Sequence, residues 1–473
     1  MTTNTDPATQ TETEVPADLL RRSMRGPVLT ATEPSYDDVR EVWNASIDRS
    51  PAVIARPTGI ADVIAAVRFA NEHDLPIAVR GGGHSFAGLG TCDDGMLIDL
   101  GLMKGIRVDP EARVALAQGG VTWGDLDHET AAFGLATTGG LVSTTGIAGL
   151  TLGGGIGWLM RKHGLACDNV VGADVVTAAG EFLHANADDH PDLFWALRGG
   201  GGNFGVVTSL EYRLHPVETV LGGMLLYPAE AAADVLTFYE ERNADEPDEL
   251  CTLLEFATAP DIEEVAPEYR GRPVVALALC YCGPVGDGAA AIAPWRKIAP
   301  VVGDFVEPVR YVELQKLWDD DYPRGLWSYM KSHYVDALSA EVISIVTAAG
   351  ATRPSGRSFI DVHHLEGAAA RVAADAMAFD QRDARYVIMF GGVCETEGDM
   401  DACRTWAREH WSALTTHATG HTYVNFMSDA DPAAVRAAWG SEKYDRLVAV
   451  KDRYDPSNRF SINHNIQPTQ RDV

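Results

Sequence analysis

The sequence predicts an α+β protein organised as two lobes, and three observations lead there. At 473 residues the chain exceeds what one hydrophobic core ordinarily organises. From residue 51 onward short apolar strands alternate with amphipathic helical stretches, which marks a mixed α and β chain. Glycine is concentrated between residues 81 and 205 and thins after about Pro216, so the backbone meets different demands in the two halves.

The elements follow in order. The first 20 residues are rich in Thr, Glu and Pro with little apolar content, so residues 1–35 are expected to be a disordered tail. Pro51–Ala55 reads as a strand. A helix follows, with Thr58 as its cap and Ile60, Val63, Ile64 and Val67 on one face. Pro76–Arg80 is a second strand, ending in Gly81-Gly82-Gly83-His84. Arg113–Ala117, a Gly119-Gly120 turn, a helix near Thr122–Phe133 and Leu135–Thr138 form a similar unit. Val170–Thr177 and Gly205–Leu214 read as strands, with a helix at Pro191–Arg198. In the second lobe, Val274–Leu279 and Tyr386–Phe390 read as strands, and Gly367–Met377 and Asp401–Leu414 as helices. The last segment, Pro432–Pro468, carries a helix with Val435, Trp439, Leu447 and Val448 on its apolar side.

Charge and cysteine usage exclude several functions. A formal charge of −29 leaves no basic surface to displace phosphate counterions, so nucleic acid is not an expected partner. Only seven of the 38 basic residues are Lys; this fits either a protein working in concentrated salt or an acidic protein from an Arg-rich proteome. The seven cysteines contain no C-x-x-C pair, and the adjacent His363 and His364 would point to opposite faces of a strand, so no metal site is expected. Arg21-Arg22 is not followed by an apolar run and no stretch is apolar enough to span a bilayer, so a cytoplasmic location without membrane attachment is expected. The oligomeric state is not legible.

The glycines carry the functional signal. Gly81–Gly83, the run Gly146–Gly157 and Gly199–Gly202 form three clusters, and glycine this dense is costly to order unless backbone must pass close to something bulky. A Rossmann fingerprint fails at both possible places, because Phe86 and Met160 stand where the third glycine belongs. A nest of successive backbone N–H groups after a strand remains suited to a pyrophosphate, with His84 beside whatever the pyrophosphate carries.

Arg80-Gly-Gly-Gly-His84-Ser-Phe-Ala-Gly88 resembles the histidyl-flavin loop of the berberine-bridge-enzyme-like group within the vanillyl-alcohol-oxidase type of FAD-linked oxidases. The resemblance extends through Gly139–Asn169, Asp192–Thr208, Tyr454–Asn458 and Asn463–Ile466. It implies a PCMH-type FAD-binding domain of two α/β subdomains over 36–217, and a substrate domain over 218–424 with an antiparallel sheet backed by helices. Residues 425–473 would return to the FAD domain. By the same resemblance FAD would be bonded through its 8α-methyl to His84, with Arg80, Gly81, Gly82, Gly83, Ser85 and Gly88 forming the pyrophosphate loop. Val142, Ser143, Thr145, Gly146, Gly149, Gly153 and Gly157 would pass along the flavin. Val207 would contact the adenine, and Asn463 and Asn465 would return to the flavin. Doubly tethered members carry a cysteine where this chain has Val142, so a single histidyl tether is implied, as in bacterial 6-hydroxynicotine-oxidase-like members. Cys167 is then an ordinary buried thiol. Thr145 falls at the position that admits oxygen, which favours an oxidase.

The implied activity is oxidation of a small alcohol, amine or sugar-like substrate by hydride transfer to flavin, with molecular oxygen as acceptor and hydrogen peroxide as product. A dehydrogenase using another acceptor and a catalytically silent flavin-binding protein are the alternatives. The base is open, because relatives use the last tyrosine of a Tyr-x-Asn-Tyr segment and this chain has Tyr423-Val-Asn-Phe426. Tyr423, His363, Glu395 and Tyr329 are the candidates by strand context. Trp327, Phe390 and Phe426 are candidate walls of a substrate pocket.

Overall fold

A computed structural model of the chain describes residues 15–243, 245–429 and 431–469. The first half holds two sheets. In one, strands run in the order Val28–Leu29, Val53–Ala55, Met96–Asp99 and Ile77–Arg80, with the last three mutually parallel. The helix Ile60–Glu72 crosses over this sheet and buries Val63, Val67 and Ala70 against Ile77, Met96 and Ile98. The second sheet is antiparallel, in the order Ile106–Asp109, Val114–Gln118, Val206–Arg213, Val170–Val176 and Phe182–Ala185. Its helix Trp123–Ala131 starts in a capping box in which Thr122 and Asp125 satisfy each other's backbone N–H groups.

The second half is one long antiparallel sheet. Its strand order is Gly303–Asp304, Thr219–Pro228, Pro273–Tyr281, Leu250–Thr258, Phe359–His364, Tyr386–Cys394 and Trp327–Val335, with Glu307–Arg310 also paired to Thr219–Pro228. The helices Ala232–Asn243, Ala340–Ala351 and Met400–Leu414 pack on one face, where Leu254, Phe256, Ile360, Val362, Ile388 and Phe390 form the core. Alternation sends the intervening residues to the opposite face, toward the first lobe.

Three expectations are corrected. The tail expected over 1–35 is ordered from at least Ala17. Ala17–Ser23 is a helix whose Leu20 is fully buried, and Val28–Leu29 adds an edge strand to Val53–Ala55. A few well-spaced apolar residues anchor it despite polar surroundings; residues 1–14 lie outside the described residues. The helix expected at Gly367–Met377 is only Gly367–Ala370. Beyond it the carbonyls of Asp375 and Ala376 instead accept hydrogen bonds from Trp195 and Arg198 of the first lobe, so tertiary pairing overrides helical periodicity. The single helix expected after Pro432 is two, Pro432–Trp439 and Ser441–Tyr454, broken at Gly440 where φ is +69°.

The C-terminal segment clasps the first lobe. Trp439 donates to the Gly199 carbonyl at 2.8 Å. The fully buried Lys451 donates to Asp455 at 2.6 Å and to the carbonyls of Asn203 and Phe460 at 2.8 and 3.0 Å. The Asn203 side chain then takes the Ile466 N–H and donates to the His464 carbonyl, so that with Lys451 on the Phe460 carbonyl the chain is held on either side of Asn463.

Candidate active site

A long cavity lies between the glycine-rich loops of the first lobe and the free face of the large sheet. On the first-lobe side the strand Ile77–Arg80 delivers the Gly81–Ser85 loop. Gly83 turns it at φ +75°, and Arg80 holds it from beneath, paired with Asp99 and donating to the carbonyls of Val39 and Glu41. The His84 imidazole projects at the loop's end. It stacks on Trp43 with ring centroids 5.3 Å apart, and its Nε2 and Nδ1 lie 3.0 and 3.4 Å from the hydroxyls of Thr144 and Thr145. Surrounding protein pushes its pKa down to about 4, so the imidazole is neutral and keeps a lone pair at neutral pH.

The lining includes most of the expected cofactor residues: Arg80, Gly81–Gly83, His84 and Ser85; Val142, Thr145, Gly146, Gly149 and Gly153; and Val207 and Asn463. Gly88, Ser143, Gly157 and Asn465 do not line it, and local packing accounts for three of them. Gly88 has φ +69° and its side-chain position is filled by Ile47. Ser143 is turned to Asp319, which accepts its N–H at 2.8 Å and its hydroxyl at 2.5 Å. Gly157 packs on the Gly139 carbonyl, 2.0 Å from where a Cβ would sit. The glycines therefore serve two ends. Gly82 and Gly146 make room for each other's backbone, whereas a Cβ added at Gly149 or Gly202 would meet nothing within 4 Å and would face open cavity.

Of the candidate bases, Tyr423 and His363 line the cavity. The Tyr423 hydroxyl oxygen already accepts the Gly155 N–H at 2.7 Å and the Asn425 amide at 2.9 Å, and burial raises its pKa, so it holds its proton. Glu395 is corrected: it lies past the strand Tyr386–Cys394, largely exposed, facing Arg357. Tyr329 is likewise outside, donating to Asp429 and accepting from Arg408. Of the expected walls only Phe426 reaches the cavity. Trp327 and Phe390 belong to the helix-backed core, because their strand positions point to that face while Met330 and Met389 point the other way.

Sequence reasoning missed the polar centre of the sheet wall. Glu255 and Asp361 stand directly opposite each other on neighbouring strands, both buried and both facing the cavity. Glu255 accepts Trp318 Nε1–H at 3.1 Å and the Tyr322 hydroxyl at 3.0 Å. Burial pushes Glu255 up to about 7; burial and the Glu255 charge push Asp361 well above the usual carboxylate range. His363 Nε2 lies 3.8 Å from Asp361, and burial lowers its pKa to about 3. The available signal was one carboxylate among the Leu, Phe, Ile and Val of each of two strand-like runs, Leu250–Thr258 and Phe359–His364.

Comparison with known proteins decides the family. An FAD binding domain model matches residues 51–186, and a model described as berberine and berberine like matches 422–467. The chain is 33% identical over 453 residues to an FAD-linked oxidoreductase of Dictyostelium discoideum, covering 95% of this chain and 96% of that protein. It belongs to the berberine-bridge-enzyme-like FAD-linked oxidoreductases. Among other relatives, (R)-6-hydroxynicotine oxidase of Paenarthrobacter nicotinovorans is 31% identical over 465 residues, covering 94% and 97% of the two chains. The crystal structure of 6-hydroxy-D-nicotine oxidase from Arthrobacter nicotinovorans superposes with a TM-score of 0.83 at 28% identity, covering 94% and 98%. The fold is shared with the berberine-bridge-enzyme-like protein 1 of Physcomitrella patens, TM-score 0.83 at 23% identity. The cavity fits the family: an open glycine cradle, a neutral imidazole at His84 and the partnerless buried Oδ1 of Asn463 suit the size and polarity of a flavin dinucleotide. No helix among the described residues is long and apolar enough to cross a membrane.

Proposed function

We propose that this chain binds FAD covalently through His84 alone and oxidises a small amine, alcohol or sugar-like substrate with molecular oxygen as acceptor. Bound there, FAD supplies hydride acceptance from a substrate carbon and onward electron transfer to oxygen, yielding hydrogen peroxide. The observation that carries this reading is His84: a neutral imidazole, oriented by Trp43, Thr144 and Thr145, at the point where the glycine cradle meets the polar wall of the sheet.

Each wall has its part. The Gly81–Ser85 N–H groups suit the pyrophosphate, Val207 the adenine end, and Asn463 the flavin side. Val142 offers no thiol for a second bond, and Cys167 is fully buried with its pKa raised by that burial, so the tether is single. Thr145, whose hydroxyl approaches His84, has the shape of valine, which supports an open oxygen position and the oxidase reading. With Tyr423 committed as a proton holder, the Glu255–Asp361 pair, which keeps one proton between its two carboxyl groups, receives the substrate's heteroatom proton on its ionised member, with the unpartnered Asp361 Oδ1 and His363 beside it. Seven free cysteines, six of them buried, support a reducing compartment, the cytoplasm.

The test is denaturing electrophoresis under ultraviolet light. Wild type and Cys167→Ala retain in-gel flavin fluorescence and His84→Ala loses it. Release of the whole chromophore from acid-precipitated wild type would overturn the tether. Peroxide produced in step with substrate consumption supports the oxidase; dye reduction without peroxide makes it a dehydrogenase.

A further inference from the structure

The carboxylate pair on the sheet is expensive. Like charges directly opposite on paired strands weaken the ladder, and burial adds a desolvation penalty. Glu255 and Asp361 occupy opposed positions, both more than nine-tenths buried, in a sheet whose other needs an apolar pair would meet better. Arg353 acts on Glu255 through its charge alone: it does not line the cavity, and its N–H groups are spent on the carbonyls of Phe256, Ala257 and Ser358. Among the described residues lining the cavity the only guanidinium or ammonium is that of Arg80, which is committed to Asp99 beneath the histidine loop. Asp361 Oδ1 and His363 Nε2 are buried without hydrogen-bond partners, whereas both Glu255 oxygens are aimed by Trp318 and Tyr322. Among the described residues no three His, Cys, Asp or Glu converge to hold a metal. Around the pair stand the aromatic rings of Trp318, Tyr322, Phe359 and Phe426.

A buried carboxylate pair with no cationic side chain beside it in the cavity, set among aromatic side chains, is the complement of an ammonium ion. We infer that the substrate is a cationic amine, primary or secondary, bearing an apolar or aromatic group, with its nitrogen held between Glu255 and Asp361. The inference rests on the proposed function only in taking this cavity as the substrate site. An incoming cation supplies the charge the fold omits; its N–H groups meet Asp361 Oδ1 and the remaining lone pairs of Glu255, and its apolar part lies along Phe359, Phe426 and Met389. A neutral alcohol or sugar leaves the pair to keep a proton in its place, whereas an ammonium takes the place of that proton, so the site discriminates by charge.

Isothermal titration of the anaerobic holoenzyme at pH 8 decides it, using N-methylbenzylammonium chloride and its uncharged isostere benzyl methyl ether, with flavin absorbance followed in parallel. The cation is expected to bind at least about tenfold more tightly than the ether. Asp361→Asn and Glu255→Gln should each weaken cation binding by about tenfold or more while leaving ether binding within about twofold, which also certifies their folding. Equal affinities in wild type, no cation binding up to about 10 mM, or cation binding untouched in both variants overturns the inference. Flavin bleaching by neutral alcohols alongside equal affinities refutes the cation site and leaves the oxidoreductase reading standing. Protein lacking flavin but preferring the cation does the reverse.

Discussion

Substituting Gly82 with alanine places a methyl group where the histidine-bearing loop meets the Thr145–Gly146 turn. The new Cβ would lie 2.3 Å from the Gly146 nitrogen and 2.7 Å from its Cα. Comfortable separations are about 3.5–4.0 Å, so the two backbones must part by about 1 Å. Neither yields easily. The turn is held by Trp123 N–H to Thr145 O and Ile147 N–H to Val121 O, both 3.0 Å, and the loop by Trp43 N–H to Gly83 O at 3.1 Å. Overpacking costs about 1–3 kcal/mol, and with backbone on both sides the upper end applies. At about 2–4 °C per kcal/mol for a unit of this size, the melting temperature of Gly82→Ala falls by about 6–12 °C. Gly149→Ala is the matched control: its methyl meets no protein atom within 4 Å, and alanine favours the helix Ile147–Leu152 by up to about 1 kcal/mol. Its stability should hold or rise, while its flavin content falls because the methyl occupies the cradle. Circular-dichroism melts with flavin absorbance per polypeptide read both effects. A Gly82→Ala protein melting with wild type, or a fully flavin-loaded Gly149→Ala, would refute the two roles assigned to these glycines.

Other outcomes follow from single groups. Asp127 is buried, its pKa raised by burial to about 7 with only Gln315 donating to it and Tyr311 nearby. Because the folded protein binds this proton more tightly than the unfolded chain, the contribution is full below the unfolded pKa near 3.8 and is lost as pH rises to about 7; urea melts of Asp127→Asn against wild type should show that fall removed, a difference of at least about 1 kcal/mol at pH 8. Lys451→Met leaves Asp455 buried and unpaired, and should cost about 3–5 kcal/mol in denaturant titration and loosen the C-terminal clasp enough to lower flavin content. Glu395→Gln, at an exposed position off the cavity, should leave kcat/KM within about twofold; a larger loss would return Glu395 to the site.

The amino-acid sequence by itself determined the alternation of strands and helices in the first lobe, the position of His84 after a strand and three glycines, and the family, because these signals are local. A strand, a nest and a histidine occupy consecutive residues, and the turn geometry they impose needs no distant partner. Tertiary structure alone decided which glycines face the cavity and which face other backbone: Gly82 and Gly146 lie far apart in the chain, and only their contact shows that they make space for each other. It also decided the chemistry of the second lobe. Leu250–Thr258, Phe359–His364 and Tyr386–Cys394 are buried on both faces, so hydrophobic periodicity does not say which side is core and which is cavity. Tyr329 and Phe390 accordingly fell on the helix side, and Glu255 met Asp361 only when their strands paired. The break at Gly440 and the lost helix after Ala370 share that cause, since each is set by what the other lobe offers in hydrogen bonds and packing.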